Sequence, residues 1–182
     1  SSSDRQIGTS AFNSSYNDNV YVGYMYGATG ASTYAAAHAN TNDSTIKTYI
    51  DNWYKTNILG TANEQYLADN IFCNDRSLAG NNSGTGAGTS ESYYRWSNGP
   101  WESEYNNKMM LTCPQQNDAF TVNDTSKGNG ALTYPVGLLS TDEIVLAGGW
   151  REDSYDYYLY SGHNWWTSSA FDFSSNAAVL HM

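Results

Sequence analysis

The chain has 182 residues, enough for one domain with a sizeable core, and its acidic residues outnumber its basic ones 18 to 8. With a net charge of -10 and its lysines and arginines scattered singly, it lacks the clustered cations that phosphate backbones and anionic membrane surfaces require. Only 14% of residues are charged while 15% are aromatic, including 16 Tyr and 6 Trp, and Asn, Ser, Thr and Gly carry the polarity, a mix typical of secreted β- and loop-rich proteins.

The opening "SSSDRQIG" contains neither an initiator Met nor a signal peptide and reads as the start of a mature or excised piece. No apolar run approaches the roughly 18 residues of a spanning helix, so no membrane insertion is expected. "NVYVGYMYG" (19–27) reads as a strand that is apolar on both faces. "NDSTIKTYIDNWYKTNILG" (42–60) is the clearest helix. Ser44 is placed to cap it, Ile46, Tyr49, Ile50 and Trp53 form one apolar stripe, and Gly60 is placed to end it. Trp53 on that stripe reads as core.

"AGNNSGTGAGTSES" (79–92) is low in complexity and reads as a mobile surface loop. "VNDTSKGNGALTY" (122–134) reads as strand, turn, strand. "STDEIVLAGG" (140–149) predicts a short helix capped by Ser140 or Thr141, with Asp142 and Glu143 at the positive end of its dipole and Gly148 as its stop. Those adjacent acids read as helix capping rather than as a catalytic pair. From Gly149 onward the chain reads as aromatic strands and loops. The order of elements predicts an α+β fold, with two helices packed on antiparallel sheet and long Gly/Ser/aromatic loops.

Cys73 and Cys113 lie in no metal-binding spacing. They either pair or remain two buried thiols, and the extracellular composition favours a Cys73–Cys113 disulfide. GxSxG, GxGxxG, HExxH and GKS/GKT motifs are all missing, and His38, His163 and His181 share no ligand spacing. "NDTSKGNG" is rich in oxygen ligands but does not match an EF-hand loop. No cofactor is expected, and a nonclassical structural calcium is the one metal the composition admits. Glu102 and Glu104, two apart on one strand, would not flank a substrate as two-carboxylate hydrolysis needs, so the chain reads as a non-enzyme.

The informative stretch is "YYLYSGHNWWTSSAFDF" (157–173), with a second aromatic patch at "SYYRWSNGPWESEY" (92–105). Trp and Tyr beside small polar groups are the composition of binding surfaces. Strand alternation predicts Tyr158, Tyr160 and Trp165 facing inward, with Tyr157 and Trp166 shielding the other side. The expected ligand face is Trp150, Asp153, Tyr155, Asp156, His163, Asn164, Trp166, Phe171 and Phe173.

"CPQQNDAFTVNDTSKGNGALTYPVGLLSTDEIVLAGG" followed by "YYLYSGHNWWTSSAFDF", together with "FCNDR" and "DNWY", resembles a domain of large surface proteins of gut Firmicutes. That domain looks like a relative of the C-type-lectin-like fold, shared with formylglycine-generating enzymes and with the variable proteins of diversity-generating retroelements. The resemblance implies a single lectin-like domain over 1–182 in an adhesin-type protein at the bacterial surface, binding a protein or glycan on a host or neighbouring cell. The closely spaced cysteines of the enzymes are absent, as are the EPN, QPD and WND motifs of calcium-dependent lectins. In the family a closing strand follows the "WT-SP" segment, whereas here the chain stops at "AAVLHM". The resemblance therefore implies that 176–182 pairs with something outside the chain or stays poorly protected. An edge of that kind suits strand exchange, and a structural subunit of a pilus-like filament is the second functional reading.

Overall fold

The computed structural model describes residues 6–80, 84–98, 109–149, 157–174 and the strand at 177–181. It is a mixed helix-and-strand fold, compatible with the α+β expectation. Among the described residues are three α-helices, α1 (Tyr34–Ala37), α2 (Thr45–Asn57) and α3 (Thr141–Leu146). The strands are mostly two residues long: β1 (Met25–Tyr26), β2 (Asn42–Asp43), β3 (Phe72–Cys73), β4 (Ser92–Tyr93) and β5 (Ala119–Phe120). Only β6 (Trp166–Phe173) and β7 (Ala177–His181) are longer. They form three antiparallel sheets, β1-β2, β3-β5 and β4-β6-β7.

The locally encoded elements form as expected. The Ser44 side chain accepts from Lys47 N and starts α2, whose Ile46 and Ile50 enter the main core beside Phe12, Tyr24, Phe120 and Leu132. Ser140 and Glu143 make a full capping box on α3. Thr141 then docks α3 on β6, its N–H donating to Ser169 Oγ at 2.9 Å.

Four expectations are corrected. Residues 19–27 are not one strand, because Asp18 caps a 3-10 turn over Asn19–Val22 before β1 begins. Residues 122–134 hold turns and no strand: Asp69 accepts from the N–H groups of Val122, Asn123 and Asp124, taking donors a ladder would use. The described part of 79–92 is a packed loop, with Asn19 Nδ2 donating to Gly88 O and Ser90 O at 2.8 Å each. Gly86 there has φ +63, and a Cβ on it would meet the Tyr34 ring at 2.8 Å, so composition that looks flexible is serving close packing. Finally, β7 pairs with β6 of the same chain, so the terminal segment finds its partner internally.

Charge is buried where the sequence offered only isolated residues. Lys47, 1% exposed, donates to Asp51 at 2.6 Å and to Asp43 at 3.3 Å. His38 is buried against the Tyr34 ring, and its pKa is pushed down to about 2 by burial first and the Arg76 charge second. A depressed folded pKa means the unfolded chain takes up a proton near pH 6.5 while the folded one does not. Stability is therefore complete above about pH 6.5 and falls by about 1.4 kcal/mol per unit on acidification. Against a His38→Phe variant, the wild-type chain should lose about 2 kcal/mol of extra stability between about pH 6.5 and 5. Urea melts across that window check it, and a constant difference between the two proteins would show that the imidazole is not held neutral.

Candidate functional site

The segment 163–166 forms a ridge between two clefts. One cleft, of about 580 Å³, is bounded by Leu139, Ile144, Leu159 and Tyr160. The other, of about 660 Å³, is bounded by Ile46, Tyr49, Ile50, Trp53 and the stretch 6–10. Both are lined by Gly137, Leu138, His163, Asn164, Trp165 and Trp166, so they are two halves of one groove. Each volume lies within the range of small-ligand sites. None of the described lining residues is acidic or basic apart from His163.

Each wall has a local cause. Tyr49 is half-buried on the α2 stripe and packs against the main core, while its hydroxyl donates to Ile7 O at 3.0 Å, fastening the 6–10 stretch as a rim. Trp166 Nε1 donates to Ser10 O at 2.8 Å while its ring meets Phe12 edge-on at 5.7 Å. Trp165 Nε1 donates to Ser161 Oγ at 2.8 Å, folding the 161–165 turn over itself. Tyr157, half-buried in the wall of the smaller cleft, has its pKa raised above the ordinary tyrosine value by that burial.

Comparison with protein-family models, with curated proteins and with solved structures finds no match. The groove therefore rests on its own geometry.

Of the expected ligand face, His163 and Asn164 are exposed on the ridge and Trp166 lies half-buried in its floor. Phe171 is half-buried and lines neither cleft. Phe173 is 2% exposed, which removes it from any face. Trp150, Asp153, Tyr155 and Asp156 lie outside the described residues, as do Glu102 and Glu104. The inward assignment of Tyr158 and Tyr160 is also corrected, since they are 75% and 44% exposed.

The cause is a lost phase. Alternation was counted from Tyr158 through to Trp165, but 157–165 is no strand: Tyr160 N donates back to Tyr157 O at 2.8 Å, and Gly162 has φ +73. The strand starts at Trp166, and residues 167–170 within it are all buried, so both faces of β6 are covered there and alternation does not sort them. It is Trp166 that packs on the main core. Replacing Trp166 by Ala should cost about 2–3 kcal/mol, below the full penalty for an emptied indole site because the ring is only half-buried. Trp165→Ala should cost about 1 kcal/mol by comparison, having no place in that core. Equal losses in denaturant melts would place both rings in the core.

Sequence reasoning missed the facing wall. Trp53 was read as core from its stripe, and "YPVGLL" (134–139) entered only as part of the family resemblance. Its signal was present: an apolar run with a central Gly, too short for a helix, directly before a capped one.

Among the described residues, no cluster of three or more His, Cys, Asp or Glu is placed to hold a metal ion, and no helix is long and apolar enough to cross a membrane. Asp124, in the oxygen-rich turn, accepts instead from the N–H groups of Ser126 and Lys127.

Proposed function

We propose that this chain is a secreted or cell-surface ligand-binding domain of the adhesin type, built on a C-type-lectin-like scaffold and using the groove around 163–166 as its ligand site. The observation that carries the reading is the pair of adjoining clefts lined by Tyr49, Trp53, Tyr160, Trp165 and Trp166 with almost no charge. Rigid aromatic walls with a few polar rim groups give contact area at low entropy cost. The Cys73–Cys113 disulfide is consistent with an oxidising, extracellular setting. The domain binds rather than transforms its ligand.

A combined glycan and protein array tests this, using the wild-type chain beside Asn164→Asp and Trp53→Ala. Specific signals that both variants lose, with melts unchanged, support the groove. Signals indifferent to both variants would remove it. The second reading, a pilus-like subunit, draws on β7 standing at the edge of its sheet among the described residues. Filaments of native material in negative stain would favour that reading over display.

A further inference from the structure

The groove carries backbone as well as side chains. Gly137 and Leu138 line both clefts and belong to neither helix nor strand. The chain is held on either side of them: Val136 N donates to Tyr134 O at 2.8 Å, and Leu139 O accepts from Ser168 N at 2.9 Å. Between those ties, the N–H and C=O groups of Gly137 and Leu138 have no hydrogen-bond partner among the described residues. Both residues are half-buried. A Cβ on Gly137 would meet the Phe72 ring at 2.6 Å, so its backbone lies directly on that ring. Two residues whose four backbone polar groups have no described partner thus line an apolar trough, where an incoming partner that supplies both donors and acceptors gains most.

The walls decide which partner that is. Leu139, Ile144 and Leu159 on one side and Ile46, Ile50 and Val136 on the other offer carbon. A sugar ring is fringed with hydroxyls, and each one stripped of water against such a wall without a new partner costs about 1–3 kcal/mol. An apolar side chain gains about 1.5–3 kcal/mol from the same burial. A charged side chain would lose hydration with no described acid or base to meet it other than His163 on the rim, and the net charge of -10 disfavours acidic partners further.

Resting on the proposed ligand site, we infer that the groove takes an uncharged, extended peptide segment. The peptide's backbone pairs with Gly137 and Leu138, in the manner of strand addition, and one apolar side chain enters each cleft. Ser161, His163 and Asn164 on the rim meet the amides that remain.

The whole chain is titrated with acetylated, amidated hexapeptides in which two residues drawn from Leu, Ile, Val, Phe and Tyr are separated by Gly or Ser. Binding is read by tryptophan fluorescence and by calorimetry. A subset of these peptides should bind in the micromolar range. N-methylating the amides between the two apolar residues should weaken binding about tenfold or more, as should changing either apolar residue to Asp. Neutral gluco-, xylo- and manno-oligosaccharides should not bind. Affinity unmoved by N-methylation overturns the inference. Oligosaccharide binding that Asn164→Asp abolishes overturns it too, while leaving the groove as the ligand site. If no hexapeptide binds, the inference also falls, and the array signals of the groove variants then decide separately whether the site itself stands.

Discussion

Replacing Asp118 by Ala should destabilise the chain by about 3–5 kcal/mol, the usual cost of stranding one partner of a buried ion pair. The Arg76 side chain is fully buried, and Asp118 is its only charged hydrogen-bond partner among the described residues. Asp118 Oδ1 accepts from Arg76 Nε at 2.9 Å and from Nη2 at 2.5 Å, and Oδ2 accepts from the Arg76 backbone N–H at 3.2 Å. The guanidinium also donates to Met25 O at 2.9 Å and to Asn40 Oδ1 at 3.0 Å, tying β1 to the core of the molecule. Burial raises the pKa of Asp118, and the Arg76 charge opposes that shift only in part. The pair is therefore worth less than the damage done by breaking it. Asp118→Asn, which keeps an acceptor oxygen, should fall between wild type and Asp118→Ala. An Arg76→Met, Asp118→Leu double variant should be less destabilised than Asp118→Ala, because no lone charge is left inside. Urea denaturation measures all three. A loss below about 1 kcal/mol for Asp118→Ala would show that water reaches the guanidinium.

These interactions mark the limit of what the sequence discloses. The two caps, Ser44 and Ser140, were legible because a helix start depends on side chains within one turn of it. Arg76, Asp118 and Lys47 looked like scattered solvated charges, since nothing local tells a buried charge from an exposed one. The bounds and pairing of the two-residue strands were not legible for the same reason: β3 is fixed where Phe72 meets Phe120 across a long separation, a contact its own sequence does not announce. At the groove, the polar and aromatic ridge could be picked out from composition, and His163 and Asn164 lie on it. The side to which each Trp points could not, because alternation holds only inside a strand and Gly162 turns the chain just before β6 begins.

Reducing the Cys73–Cys113 disulfide should cost about 4 kcal/mol, the chain-entropy value for a closed loop of 40 residues. The bond joins Cα atoms 5.4 Å apart and leaves no free cysteine. It acts at the junction that Arg76 and Asp118 also hold. Cys73 lies on β3 opposite Ala119 of β5, and Asn74 N donates to Asp118 O at 2.9 Å. The two losses should therefore fail to add: combining Cys73→Ala, Cys113→Ala and Asp118→Ala should cost less than the sum, by about 0.5–3 kcal/mol. Strict additivity would show two independent fasteners. The same junction reaches the groove, because Ser168 Oγ donates to Cys73 O at 2.7 Å while Ser168 N donates to Leu139 O beside the unpaired backbone of Gly137 and Leu138. The reduced chain, still folded at low temperature, should therefore bind the groove's ligand more weakly than the oxidised one. An affinity unchanged on reduction would show that β6 holds the groove wall without help from β3.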